Sequence, residues 1–576
     1  MINPIMKKVF ENRGYTEDYL YRINDPHYEP LADIDLLVSE LKEIHDNQDV
    51  IAIYPDHDMD GVAAGCCGFV GLCELGFNAR LFIPDVNQGY GITTESLDQL
   101  LAKYPDTKVI MTCDVGITAY EAAEYCRNKG IRFFVTDHHQ IGKYGLIQAD
   151  VVVDPMRDDD DYAHPNICGA FVMYQVLQRY ADIYTVSFVQ DQIRRLRVFA
   201  GMGTVSDLMP LLYENRQIVR DAIDICKLVF GDGTESFVSI LPGCDVYKRA
   251  FWGIYEILKV YEQYGVIKDE SDINESFFGF YLAPAVNSVK RMGGDLSRVF
   301  GAFIGNNRTE DAEYLYALNN DRKAEVVDHM RMIDESEQPY APYVYYTTAR
   351  PGIIGLIAQQ LMSRTGLPCL VFAADTDDSG HVYFHGSGRS PEWYPAKSRL
   401  KEHFGDRLEA DGHIWAFGCG VSSADVVAEL FEFLSYDVTN TVSSVTVTAK
   451  APDFTITTDF TGDFGIDIDL FREYLDDLDN FRPFGKAFPV PEARFTFRNR
   501  DVMSIDKKPG WEVMGKAKQH LKIHFVNGFD VVLWNQAYLI TQQDVSDKHE
   551  VVGKLSYNEF NGVKSVIFVG DLVEVT

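Results

Sequence analysis

The sequence predicts an α/β protein: a parallel-sheet lobe, linking helices, a smaller mixed α/β domain and a C-terminal β-barrel. Three observations carry this. Short apolar strands alternate with helical segments from Val50 to Val153, which argues for a parallel sheet with helices on both faces. Residues 165 to 335 read as mostly helical, and a second mixed stretch follows at about 340 to 435. Beyond 440, strand-like alternation dominates, the pattern of a small barrel.

Taken in order, residues 1–48 are helical and polar, with an amphipathic segment at Leu31–Ile44. Val50–Tyr54 is the first strand and is followed by a helix around Val62–Leu75. Ala79–Ile83, Lys108–Cys113, Ile131–Thr136 and Asp150–Val153 read as further strands, with helical periodicity in segments such as Thr118–Asn128. The late strands are expected at Val445–Thr448, Phe495–Phe497, Leu521–Phe525, Val531–Leu533 and Ser565–Val569. A chain of 576 residues has room for three or four domains. Their boundaries are placed at 1–240, 241–335, 336–437 and 438–576.

Hydrophobic residues make up 46% and charged residues 24%, the balance of an ordinary globular protein. No apolar run of about 18 residues is present, so no membrane span is expected. The start carries no apolar signal region, and none of the ten cysteines forms a Cys-x-x-Cys pair. Together these point to a cytoplasmic protein with reduced core cysteines and no zinc site. The net charge of −33 argues against a protein that coats nucleic acid non-specifically, but leaves room for a locally basic groove.

The informative residues sit where the early strands end. Val50–Tyr54 runs into Pro55-Asp56-His57-Asp58-Met59-Asp60-Gly61, Lys108–Cys113 into Asp114-Val115-Gly116, and Ile131–Thr136 into Asp137-His138-His139. Asp207, in Val205-Ser206-Asp207-Leu208, is a fourth candidate. Ligands of open α/β sheets gather at the carboxyl ends of strands. An Asp after a strand is ordinarily a helix cap or a turn former. Several carboxylates delivered to one edge repel and raise one another's pKa unless divalent cations intervene. Oxygen-rich sites with an imidazole or two suit manganese or magnesium better than zinc or copper. Two such ions about 4 Å apart are a recurring device for phosphodiester hydrolysis.

These residues resemble the DHH phosphoesterase superfamily, and the RecJ-type exonucleases in particular. The family's Asp-x-Asp-x-Asp-Gly matches Asp56 to Gly61, its second motif Asp114, its third Asp137-His138-His139, and its fourth Asp207. The resemblance implies that Asp56 and Asp114 hold one metal. Asp58, Asp114, His138 and Asp207 would hold the other, with Asp114 bridging. His139 would contact the substrate phosphate, with Asp60 and Asp137 in support. It runs nearly the whole length. Cys168-Gly169-Ala170, Leu282 to Asn287 with Arg291, and Leu318 to Arg322 look like family segments. So do Gly352 to Ala358 with Gly386-Ser387-Gly388-Arg389-Ser390, and Gly412-His413 to Gly418. In that light Arg291, Arg350, Ser387, Gly388 and Arg389 are substrate-binding candidates, and His413 lies near the scissile phosphate. The C-terminal Arg482 to Lys486, His520 to Ile523 and Asn558 to Gly562 resemble the RecJ OB-type barrel. Three positions depart from the pattern: Tyr54 where several relatives carry a His, Arg350 where a His often precedes Gly-Ile-Ile-Gly, and Asp411 where a third glycine is common.

From Arg482 to Phe525 there are ten Lys or Arg against four acids, interleaved with Phe484, Phe488, Phe495, Phe497 and Trp511. Basic groups plus aromatics suit a single strand, so Lys507, Lys508 and Trp511 are DNA-contact candidates. Phe495 and Phe497 read individually as barrel core. The resemblance implies a manganese-preferring enzyme, magnesium being the alternative, that trims single-stranded DNA from its 5′ end in repair and recombination. A single-strand binding protein or helicase would be its partner. Two rivals stand beside this: a phosphodiesterase for short oligonucleotides or cyclic dinucleotides on the same core, and a replication scaffold without metal. Retention of Asp56, Asp58, Asp114, His138 and Asp207 disfavours the scaffold.

Overall fold

The computed structural model describes residues 2–24, 30–85, 91–231, 241–376, 380–444, 451–504, 510–515, 518, 520–525, 528–534, 536–537, 547–560 and 563–573. The chain divides into two compact units: Glu29–Met209 with Asp221–Thr448, and Met1–Tyr28 with Pro210–Arg220 and Ala449–Thr576.

In the first unit, β1 (Val50–Pro55), β2 (Asn78–Leu81), β3 (Thr107–Cys113), β4 (Arg132–Thr136) and β5 (Val151–Val153) form a parallel sheet of order β2-β1-β3-β4-β5. β1, β3, β4 and β5 are buried almost throughout, as an all-parallel sheet requires. The order reverses between β1 and β3, so loops leaving their carboxyl ends diverge and open a crevice there. The chain places Asp56 and Asp114 at that point.

A second sheet of the same unit has order β6-β7-β8-β10-β9, with β6 (Val344–Tyr346), β7 (Cys369–Thr376), β8 (Val382–Arg389), β9 (Glu409–Gly412) and β10 (Ala416–Val421). Only β6 and β7 pair in parallel. Ile353, Ile354, Ile357, Ala358 and Leu361 of the helix Pro351–Thr365 bury one face against Cys369, Val371 and Ala373. Leu400, Phe404, Val427 and Leu430 cover Phe372, Phe417 and Cys419 on the other.

The other unit carries a seven-stranded sheet of order β11-β12-β16-β17-β15-β14-β13. Its strands are β11 (Phe454–Thr457), β12 (Ala493–Arg498), β13 (Trp511–Met514), β14 (His520–His524), β15 (Asp530–Leu533), β16 (Lys548–Phe560) and β17 (Val563–Val573). Among the described residues β11 and β13 remain edges, so no closed barrel forms. The helix Pro4–Arg13 buries Ile5, Met6, Val9 and Phe10 in this unit's core. Its Arg13 makes a two-pronged ion pair with Asp453. The expected boundaries place these first helices in the 1–240 domain; packing groups residues 1–28 and 210–220 with the C-terminal sheet instead. The expected strand Val445–Thr448 lies outside the described residues, and the residues before it form the helix Ala424–Ser444. No helix among the described residues is long and apolar enough to cross a membrane.

Candidate metal centre

Glycines let three helices close on the strand-end carboxylates. A Cβ at Gly61 would sit 2.6 Å from the backbone of Asp56, one at Gly169 2.4 Å from Asp114 Oδ1, and one at Gly203 2.1 Å from Asp60 Oδ1. Gly203 thus has a packing role. Asp58 caps the helix Met59–Glu74 by accepting from Gly61 N at 3.0 Å. Asp60 Oδ2 accepts from Gly169 N at 2.7 Å and Oδ1 from Ala170 N at 3.1 Å, at the amino end of the helix Gly169–Tyr184. Asp114 takes a left-handed φ of 63°, costly for a residue with a Cβ, and Gly116 follows at 121°.

These constraints assemble a cluster. Asp56, Asp58 and Asp114 bring carboxylate oxygens within 4.8 Å of one another, and Asp60, His138 and Asp207 form a second such group. His138 Nε2 lies 3.1 Å from Asp114 Oδ1 and 3.7 Å from both Asp60 Oδ2 and Asp207 Oδ2, so it joins the two. His139 is held from behind: Asp137 Oδ1 lies 2.7 Å from its Nδ1, and Asp137 Oδ2 accepts from Ile117 N at 2.9 Å.

The electrostatics show the conflict expected of carboxylates without a counter-ion. Burial, then the charges of Asp60, Asp58 and Asp56, push the Asp114 carboxyl well above its usual range. Burial, then Asp56 and Asp60, push Asp58 up to about 6. Burial lowers His138, favouring the neutral imidazole a metal requires. Burial works most strongly against the Asp137 carboxylate, but the hydrogen bond and charge of His139 and the Ile117 amide together outweigh it and hold it below the usual range. The same bond raises His139 to about 9. Asp114 Oδ1 is buried and no hydrogen-bond donor is aligned on it. An orphaned oxygen among hard oxygen donors and one neutral imidazole fits a divalent cation of the manganese or magnesium kind.

A cationic rim adjoins the carboxylates. Burial lowers Arg291, which feels the charge of Asp58. Burial and then Arg291 lower both Arg322 and Arg389. Arg389 is braced by Ser387 Oγ at 2.8 Å and Gly388 O at 2.7 Å, and Ser387 donates to Phe417 O. On the helix Ala283–Met292, Asn287 accepts from Met59 N at 2.9 Å and Lys290 Nζ approaches His57 Nε2 at 2.6 Å.

Other candidates lie elsewhere. Arg350 pairs with Glu325 and donates to Met292 O, so it works in a structural link. His413 stands on the exposed turn between β9 and β10. Trp511 is 7% exposed and packs against Phe497 and His549, so it is core and offers no open face to a base. Phe495 and Phe497 are core as well. Lys507 and Lys508 lie outside the described residues. The basic window is also less basic than its own count, because acids beyond it pair with Arg482, Arg494, Arg498 and Lys522: Asp479, Glu550, Asp547 and Asp530.

Sequence reasoning missed Lys290, Arg322 and Asp154. Asp154 follows β5 as Asp56, Asp114 and Asp137 follow their strands, a signal that was available. It is fully buried, one oxygen lacks a partner, and burial and then Asp137 push it up to about 7.

Residues 50–198 match the family model described as the DHH family, N-terminal domain, and residues 466–569 that of the RecJ OB domain. The single-stranded-DNA-specific exonuclease RecJ of Bacillus subtilis is 24% identical, over 98% of this chain and 67% of its own length. That of Haemophilus influenzae is 23% identical over 94% and 91%. The crystal structure of RecJ in complex with Mn2+ from Thermus thermophilus is similar in fold, with a TM-score of 0.70 at 19% identity. The match covers 100% of this chain and 76% of that one.

Proposed function

We propose that this chain, whose residues 50–198 match the DHH family model and residues 466–569 that of the RecJ OB domain, is a divalent-cation-dependent exonuclease. It hydrolyses single-stranded DNA to mononucleotides from the 5′ end, in DNA repair and recombination. The relatives named as single-stranded-DNA-specific exonucleases support the substrate. The observation that carries the chemistry is the orphaned, buried Asp114 oxygen at the centre of Asp56, Asp58 and His138, beside a rim of half-buried arginines.

In this reading Asp56, Asp58, Asp114, His138 and Asp207 hold two cations, manganese preferred. Bound there, the cations supply Lewis-acid activation of water and neutralise phosphoryl charge. Asp60 and Asp137 keep ligands and His139 oriented. His139, charged through Asp137, donates to a phosphate oxygen. Arg291 and Arg389, with Arg322 behind them, bind phosphates on the 5′ side. Ser387 and Gly388 shape that pocket, and His413 closes on the scissile phosphate. Lys507 and Lys508 contact the strand. A cytoplasmic location, and delivery of the strand by a helicase or single-strand binding protein, belong to the same proposal.

The test is degradation of matched 5′-labelled and 3′-labelled single strands with manganese, with EDTA and Asp114→Ala as controls. Metal-dependent early release of the 5′ label as a mononucleotide is expected. Binding without cleavage of either strand would favour a scaffold, and cleavage confined to dinucleotides would favour a small-substrate phosphodiesterase.

A further inference from the structure

We infer that Lys290, acting beside His57, places a fixed positive charge against the Asp56 side of the carboxylate cluster. It thereby weakens the cation position at Asp56 and Asp114 relative to the one at Asp58, Asp114, His138 and Asp207. The inference extends the metal-dependent reading above and rests on it for the presence of two cations.

It stands on a chain of contacts. His57 Nδ1 lies 2.6 Å from Asp56 Oδ1, and Lys290 Nζ lies 2.6 Å from His57 Nε2. The ring thus bridges the two groups, with Nδ1 facing the carboxylate and Nε2 facing the ammonium. Lys290 Nζ is also 3.4 Å from Nδ1, which bounds the ammonium to within ~6 Å of Asp56 Oδ1. The lysine is not a free surface arm. Asn287, one turn earlier on its helix, accepts from Met59 N and fixes that helix against the Asp56 loop. The strand-end Tyr54 adds no ligand to balance the charge: it is buried, and its hydroxyl is bound to Ser96 Oγ at 2.9 Å. Among the described residues this side offers carboxylates, with an ammonium one imidazole away. The other side has His138 and no lysine of this kind among the described residues. A unit charge ~8 Å from a divalent ion changes its affinity about fivefold even with the screening of bulk water, and more in a half-buried site.

The test is calorimetric titration of the full chain with Mn2+ in the absence of DNA, alongside Lys290→Met, Lys290→Gln and Lys290→Arg. The unmodified chain is expected to fill two positions of unequal affinity, at least about twofold apart. Both neutral variants should tighten the weaker position about fivefold and the other, about 4 Å further from the ammonium, by a smaller factor of about threefold, while Lys290→Arg behaves as the unmodified chain. Two equal positions in the unmodified chain would overturn the inference. So would a neutral variant with a native melting curve that binds both cations as before or more weakly. The titration reads no cleavage, so a chain that binds manganese this way but cuts no strand would refute the nuclease reading and leave this one standing.

Discussion

Gly203→Ala tests whether the close approach of helices to carboxylates builds the centre. Gly203 lies inside the helix Arg197–Ser206 and takes no positive φ, so alanine there would ordinarily gain about 1 kcal/mol of helix propensity. Here the new methyl would sit 2.1 Å from Asp60 Oδ1, 2.9 Å from Ala170 Cβ and 3.0 Å from Cys168 Sγ. Relief requires the carboxylate or the helix to move by about 1 Å, an overpacking cost of about 1–3 kcal/mol. The side chain that must give is held by two amides, at 2.7 and 3.1 Å, so bending away sacrifices charge-assisted bonds as well. The expected net destabilisation is about 1–2 kcal/mol in urea unfolding. Because Asp60 Oδ2 is 3.7 Å from His138 Nε2, the shift reaches the ligand set. A misplacement of about 1 Å costs about 100-fold in turnover of single-stranded DNA. A variant that is stabilised like an ordinary helical Gly→Ala, with turnover within about threefold of the parent, would refute the reasoning.

Asp114→Ala should reduce cleavage below about one part in a thousand while leaving single-strand affinity largely intact, measured by turnover and by filter binding. Asp137→Asn should cost about 10- to 100-fold in turnover, because it weakens the carboxylate that orients His139. In EDTA, thermal stability should fall as pH rises through about 6. The folded-state carboxyl of Asp58 is raised, so its proton-linked stability is present at acid pH and lost above that value; saturating manganese should flatten the slope. Trp511→Ala should destabilise its unit by about 3–5 kcal/mol in urea unfolding. Under folding conditions it should leave DNA affinity within about twofold, since a buried indole packed on Phe497 offers no stacking face.

The strand-end motifs were legible because parallel strands are marked twice in a sequence, by near-continuous apolar runs and by the polar residue that ends them. Val50–Pro55 and Thr107–Cys113 fall within a residue or two of where their apolar runs place them. The early helices were misassigned because an amphipathic segment announces that it has an apolar face, not which core receives it. Ile5, Val9 and Phe10 would satisfy either unit's core. Trp511 was misread for a related reason. In a strand every second residue faces inward, and without the pairing register an aromatic among lysines reads equally as platform or core. Trp511 lies opposite Ile523 on β14, itself fully buried, which sets its side.

Charge shows most sharply what position adds to composition. Counted locally, Arg482 to Phe525 looked like the chain's basic surface, yet much of it is matched by acids outside the window. The cations with the stronger claim on phosphate are Arg291, Arg322 and Arg389, spread over about 100 residues, each lowered by burial and two of them further by Arg291. Desolvated like charges raise the energy of the empty rim, and a phosphate entering it relieves that repulsion, as a divalent cation relieves the carboxylates around Asp114. Both halves of the centre thus hold uncompensated charge of opposite sign. In the proposed function that arrangement would give binding energy to a metal and a phosphate ester together and little to either alone, which reconciles a net charge of −33 with a polyanionic substrate.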